Sequence, residues 1–397
     1  MAGPQRVVVI GGGILGLAVA DRISAHRPGC QVTVVEKENR WAAHQTGRNS
    51  GVVHSGLYYR PGSYKATMCR RGAESMVRFA QEQGVAVERC GKLVVATSAA
   101  ELPGLRALAE RGRQNGLQVR ELDPAAAREV EPHVACVAAL HVQETAIIDY
   151  RGVCEALVRR LEAAGADLRL STRVVGLQEN ARTTTVETDG GTVEADAVVN
   201  CAGLQSDLIA AFGGRRLPAR IIPFRGEYFE LRPQSHHLVR GLIYPVPDPR
   251  FPFLGVHLTR MIGGGVHAGP NAVLALAREG YTWRTVNGRQ LASTVAYPGF
   301  WRLATRHART GLAEVARSLS RRRFAESLQR LVPEIVVDDL VPAPAGVRAQ
   351  AVLRNGDLAD DFLVERQGRT VHVLNAPSPA ATSALEIAAH VETLLPD

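Results

Sequence analysis

Apolar and polar positions follow two rhythms along this chain, one with the spacing of strands and one with that of helices. Val7-Val8-Val9-Ile10 is a continuous β-branched run, the pattern of a strand buried on both faces of a parallel sheet. Leu15, Leu17, Val19 and Ile23 then share a helix face, with Ala20 small enough to lie near a sheet, and Val32-Thr33-Val34-Val35 is a second strand. Helical spacing returns over 66–83, over 101–115 with Gly116 as its stop, and over 151–164, where Val153, Leu157, Val158 and Leu161 share a face. Strands are expected at 91–96, 168–170 and 174–177, with a hairpin of 184–188 and 191–194 around Asp189-Gly190. A second buried strand, 197–199, runs into the small residues Cys201-Ala202-Gly203. Strand-like runs follow at 221–231, 242–245, 253–259 and 261–267, with Gly263-Gly264-Gly265 as a hairpin turn. Residues 281–333 turn helical, with Leu312, Val315 and Leu319 on one face and Phe324, Leu328 and Leu331 on another. Pro342 to Pro344 reads as a return loop, followed by a strand from Gly346 through Val352, a last strand over 370–374 and a closing helix over 383–394.

This order predicts an α/β protein. A Rossmann-like dinucleotide domain is assembled discontinuously from 1–87, 146–215 and 345–397. An antiparallel-sheet substrate domain takes 88–145 and 216–344 and carries a helical insertion at about 281–333. At 397 residues, with 46% hydrophobic positions, the chain can bury a large core. No run of eighteen apolar residues exists to span a membrane. The first apolar run is short and leads straight into glycines, unlike a secretory signal. The six cysteines are scattered without a C-x-x-C, which suits free thiols in a reducing cytoplasm and leaves no metal site expected. The net charge of +8 comes almost wholly from arginine, since Lys37, Lys65 and Lys92 are the only lysines. With no zinc finger, RNA-binding signature or arginine tail, a nucleic-acid partner is not expected. The aromatic and basic run from Trp283 to Arg323 is read first as a packed insertion with a solvated basic face, and second as a peripheral contact on the cytoplasmic membrane face.

The chemistry begins at Gly11-Gly12-Gly13-Ile14-Leu15-Gly16, a G-x-G-x-x-G that follows a strand and opens a helix. Gly11 allows the tight turn, Gly13 a close approach to a pyrophosphate, and Gly16 close packing of helix on strand. The helix N-terminus offers free N–H groups to phosphate oxygens. Glu36 ends the second strand at the spacing of a ribose-binding acid. No second such motif exists, so one dinucleotide is expected and no separate NAD(P)H site. The polar, glycine-rich stretch 44–59 can lay backbone along a diphosphate and a flavin ring.

On these residues the chain resembles the L-2-hydroxyglutarate oxidases/dehydrogenases within the D-amino-acid-oxidase-like FAD-dependent oxidoreductases. The matching runs are His44-Gln45-Thr46-Gly47, Asn49-Ser50-Gly51 with His54, Pro223-Phe224-Arg225-Gly226-Glu227-Tyr228, 242–247, 253–259, 269–274, 345–351 and 374–382. The resemblance implies noncovalent FAD, oxidation of L-2-hydroxyglutarate to 2-oxoglutarate, and electrons passed to a quinone or to oxygen. The candidate cofactor contacts are Gly11, Gly13, Ile14, Leu15, Gly16, Glu36, Thr46, Asn49, Ser50, Gly51, Val52, Val174, Ala202, Gly203, Ala380, Ala381 and Thr382.

Oxidising a 2-hydroxy acid needs a base for the hydroxyl proton, a hydride acceptor at C2 and cations for the carboxylates. His54, after the flavin loop, and His257, on a substrate-domain strand, are the candidate bases, each equally readable as a structural histidine. Arg348 matches the Gly-x-Arg that grips a substrate carboxylate in related amino-acid oxidases. Arg225 and Arg260 are candidates for the second carboxylate, with Tyr228, Tyr58 or Tyr59 lining the pocket; strand-edge salt bridges and wall packing are the plain alternatives. Two other classes fit the same pattern: a flavin amine or amino-acid oxidase, and a non-catalytic flavin- or membrane-binding protein.

Overall fold

The computed structural model describes residues 4–214, 217–248 and 255–396. Residues 215 and 253–254, which fall in an expected domain and an expected strand, lie outside the described residues. The first sheet has six strands, in the order Leu363–Gln367, Thr370–Asn375, Ala197–Asn200, Arg6–Ile10, Gln31–Val35 and Asp167–Arg169. Arg6–Ile10 lies parallel to both of its neighbours. Val7 and Val9 pack under the helices Ile14–His26, Tyr150–Ala163 and Ala384–Thr393. Val8 and Ile10 face the other way, onto a three-stranded sheet that includes Val174 and Val186. Burial on both faces is why the run is continuous rather than alternating.

The second sheet has nine strands. Its spine is Ala219–Leu231, paired antiparallel to Leu340–Leu353 from Ala219↔Leu353 to Leu231↔Leu340. Across from it lie Val266–Gly269, His257–Arg260, Leu242–Pro245 and Lys92–Ala96. The sheet is mixed rather than purely antiparallel, because Leu242–Pro245 runs parallel to Lys92–Ala96.

Two further expectations are corrected. Pro342 and Pro344 do not form a loop but lie inside the strand Leu340–Leu353. Among the described residues that strand pairs within the sheet only with Ala219–Leu231, so its outer edge tolerates residues without an N–H. Residues 281–287 are turns, and the helices begin at Gly288–Val295 and continue through Pro298–Arg306, Ala308–Ser318 and Arg321–Gln329. Phe324 and Leu328 of the last helix are buried, whereas Leu312 and Leu319, which share an apolar face, stand in solvent. A buried ion pair ties the two sheets' regions together: Arg278 donates to Asp207 on the helix Ser206–Phe212 at 2.8 Å.

Candidate active site

The strand Arg6–Ile10 ends at Gly11, whose φ of +111° is open to glycine but strained for other residues. The following turn is tight enough that a Cβ on Gly16 would stand 1.8 Å from the Gly11 carbonyl oxygen. The helix Ile14–His26 starts at Gly13 with no capping bond from its own side chain. The Thr46 hydroxyl accepts the Ile14 N–H at 3.1 Å. Glu36 accepts the N–H of Gly12 at 2.7 Å and that of Glu38 at 2.9 Å. A carboxylate has about four lone-pair positions, so acceptors remain for the hydroxyls of a ribose.

From this cradle a cavity of about 950 Å³ runs along the first sheet to the second. Gly11, Gly13, Ile14, Leu15, Glu36, Thr46, Asn49, Ser50, Val52, Val174, Ala202, Gly203, Ala380, Ala381 and Thr382 all line it. Gly16 and Gly51 do not, and they stand behind the wall as packing glycines. Asn49 shapes the loop that carries it: its amide donates to the Thr46 carbonyl at 2.7 Å and its oxygen accepts the Gly51 N–H at 2.8 Å. Thr382 holds the opposite wall, accepting the His54 N–H at 3.0 Å and lying 3.1 Å from the Tyr150 hydroxyl. An elongated cavity with a glycine cradle, a helix start opened by Gly13 and an acid with spare acceptors fits FAD.

At the other end His54, His257, Arg348, Tyr58, Tyr59, Tyr228 and Tyr244 line the same cavity. His257 lies on the strand His257–Arg260 with its ring stacked on Tyr244 at 3.9 Å. Its Nδ1 is 2.9 Å from the Gly255 carbonyl, which can only accept, so Nδ1 carries the hydrogen and Nε2 the lone pair. Burial pulls the His257 ring down to about 3, and the charges of Arg348 and Lys92 push the same way. His54 is likewise held at about 3 by burial, with Lys92 and His257 adding to it. Its Nε2 lies 3.3 Å from the Ser378 hydroxyl, while Nδ1 is buried without a partner among the described residues. Arg348 stands in the strand opposite Phe224, within electrostatic reach of Tyr228.

The structure does not bring Arg225 or Arg260 to this cavity. Arg225 is fully buried beside Glu227 at 3.3 Å, with its guanidinium 4.1 Å over the Trp283 ring. Arg260 is turned away into an ion pair with Glu88. Several lining residues carried no role in the sequence reading. Lys37 lies 2.9 Å from Glu279 and 3.0 Å from His44 Nε2, and it pairs with Glu38, whose carboxyl these contacts hold at about 2. Glu38, His44 and Glu279 have the spacing of a metal site, and the Lys37 ammonium is the cation that sits on it. Tyr281 closes this edge, stacked on His44 and 4.1 Å under the Arg48 guanidinium. Lys37 is one of three lysines in an arginine-rich chain, and that rarity was the signal available in sequence.

The model of the DAO family, described as FAD dependent oxidoreductase, matches residues 6–394. The L-2-hydroxyglutarate dehydrogenase of Indibacter alkaliphilus is 47% identical over 384 residues, covering 96% of both chains. The L-2-hydroxyglutarate dehydrogenase of Escherichia coli K12 is 42% identical, covering 98% of this chain and 93% of that protein. Among solved structures, the dithionite-reduced, FAD-bound L-α-glycerophosphate oxidase of Mycoplasma pneumoniae superposes with a TM-score of 0.81 at 20% identity, covering 100% of this chain and 95% of that one, a likeness of fold. The glycine cradle and the family agree on FAD as the cofactor. The chain belongs to the DAO family of FAD-dependent oxidoreductases and, within it, to the L-2-hydroxyglutarate dehydrogenases.

Proposed function

We propose that the chain oxidises L-2-hydroxyglutarate to 2-oxoglutarate in this cavity. The observation that carries the reading is His257: a neutral imidazole with its lone pair on Nε2, in one cavity with Arg348. The substrates named for the relatives support it. FAD, when bound, supplies the hydride acceptor. Arg348 binds the carboxylate on C2 through its planar fork and so orients the C2 hydrogen. His257 Nε2 takes the hydroxyl proton, and Gly255 holds the ring in the tautomer that can do so. His54, beside Ser378 and Thr382, orders the loop at this end of the cavity. Tyr228 and Tyr59 exclude water from this end.

Anaerobic mixing of the yellow holoenzyme with L-2-hydroxyglutarate should bleach it, while D-2-hydroxyglutarate and L-glutamate leave it yellow. Bleaching by amino acids alone would move the chain to the amine-oxidising class.

For the electron acceptor we propose a quinone reached at a membrane surface. No described helix is long and apolar enough to cross a membrane. The insertion nevertheless exposes Trp301, Leu312 and Leu319 at 53%, 72% and 70%, and its next helix, Arg321–Gln329, opens with Arg321, Arg322 and Arg323. Flotation with anionic liposomes at low salt, lost at high salt, is the expected result; absence at low salt removes the membrane contact.

A further inference from the structure

One charge beside the reacting end has no part in the scheme above. Lys92 opens the buried strand Lys92–Ala96 and is 2% exposed. Among the described residues no carboxylate lies within ion-pair distance of it, and the titratable groups within its electrostatic reach are the thiols of Cys69 and Cys90 and the rings of His54 and His257. Its ammonium faces two rings instead, 4.6 Å from the centre of Tyr58 and 5.1 Å from that of Tyr244. Both tyrosines line the cavity, and Tyr244 carries His257 on its other contact. The Tyr58 hydroxyl is buried with no hydrogen-bond partner among the described residues. Ring faces offset only part of the cost of burying an ammonium. An anion at this place completes what the protein leaves open.

We propose that Lys92 is the counter-charge for the substrate's second carboxylate, the one remote from C2. This carboxylate is received at the Tyr58–Tyr244 end of the cavity, and Lys92 thereby selects dicarboxylates over monocarboxylate 2-hydroxy acids. The proposal rests on the reading that the substrate is a 2-hydroxy dicarboxylate. Lys92 meets the cavity through the rings of Tyr58 and Tyr244 rather than lining it, and the cations that do line it, Arg348 apart, are engaged elsewhere. Lys37 is held by Glu38 and Glu279, Arg48 lies over Tyr281, and Lys65 feels Asp360 and Asp361. Arg173 adjoins Val174 on the first sheet's side. His257 lies within electrostatic reach of both Arg348 and Lys92, so the base has a cation near it for each carboxylate of the substrate. A compact ammonium on a flexible stem suits the freer end of the substrate, and a rigid guanidinium fork suits the end that must be oriented.

The test uses the holoenzyme, with flavin reduction by L-2-hydroxyglutarate and by L-2-hydroxybutyrate, and the Kd of glutarate read from the flavin absorbance. In Lys92→Met the rate constant for the dicarboxylate should fall about thirtyfold or more, the scale of losing one buried charge partner. Its preference over the monocarboxylate should collapse, and glutarate should weaken in parallel. Tyr58→Phe keeps the charge and removes the buried hydroxyl, and should weaken glutarate by about threefold to tenfold, the scale of one hydrogen bond. A Lys92→Met enzyme that keeps its preference within about threefold overturns the proposal and leaves Lys92 a packing strut. If Lys92→Met does not fold, an unchanged glutarate Kd in both Lys92→Arg and Tyr58→Phe overturns it equally, and a weakened one upholds it. Should no 2-hydroxy acid bleach the wild type, the functional reading fails, while glutarate binding that depends on Lys92 still upholds the dicarboxylate subsite.

Discussion

A histidine becomes a base through what its other nitrogen does. Gly255 offers His257 only an acceptor, so the proton is fixed on Nδ1 and Nε2 is left to act. Replacing His257 with Gln should slow flavin reduction about a hundredfold, the usual scale for losing general-base help, with the FAD spectrum retained. Equal reduction rates would return the role to His54. Because burial holds the free ring at about 3, below the ordinary 6.5, the histidine stays unprotonated through mildly acidic solution. The profile of kcat/KM should therefore show no loss with a midpoint near 6.5 on its acid side. Arg348→Met should cut the second-order reduction rate by roughly thirtyfold to a few thousandfold, since a buried carboxylate loses its partner; Arg348→Lys should recover part. A Met variant with a lowered melting temperature and normal kinetics would make Arg348 structural instead. At this scale the sequence showed which residue types were needed but not where their side chains turn. Arg225 and Arg260 sit on the expected strands, yet Trp283 and Glu88 claim them.

At the level of elements, legibility followed burial. Arg6–Ile10 could be read from its pattern because helices cover one face and a small sheet the other. The glycine turn could be read because its spacing is steric: a methyl on Gly16 has the Gly11 carbonyl 1.8 Å away, and backbone cannot yield there as a flexible side chain can. Gly16→Ala should therefore push the helix Ile14–His26 off the strand and give a largely colourless protein, checked by the FAD released per chain on denaturation. Retention of a full FAD complement would show that the turn relaxes. Leu340–Leu353 was hidden by Pro342 and Pro344, which punctuate most chains but are tolerated on a strand's unpaired edge. Residues 281–287 mimicked a helix because Tyr281 and Trp283 are apolar for another reason: they cover Arg48 and Arg225. In the insertion, helical spacing put Leu312 and Leu319 on one face; both are exposed, Leu319 just past the helix Ala308–Ser318, and spacing alone does not say whether protein or something else covers them.

For the whole molecule, the cavity exists because two sheets with different tasks meet along it, and that meeting loads its walls with buried ionisable groups. His54 and His257 are both held at about 3 by burial, against 6.5 in an unfolded chain. Between those values the unfolded chain binds up to two more protons than the folded one, so the folded state loses stability as pH falls from 6.5 towards 3. Lys92 works in a higher window with the same sign. Burial brings it to about 8 from an ordinary 10.5, so the unfolded chain holds the extra proton between those values and stability rises with pH across them. Both windows follow from burying ionisable groups around one cavity. The melting temperature of the protein should therefore fall as pH is lowered from 7 to 4. Replacing both His54 and His257 with Gln should flatten that fall, because neither amide can take up a proton. Glutarate should flatten or reverse the rise in stability above pH 8 relative to the free protein, since deprotonating Lys92 then removes the partner of a bound anion. Differential scanning calorimetry over both windows, with and without glutarate, measures all three slopes; an acid slope unchanged in the double variant would place the sensitive groups outside the cavity.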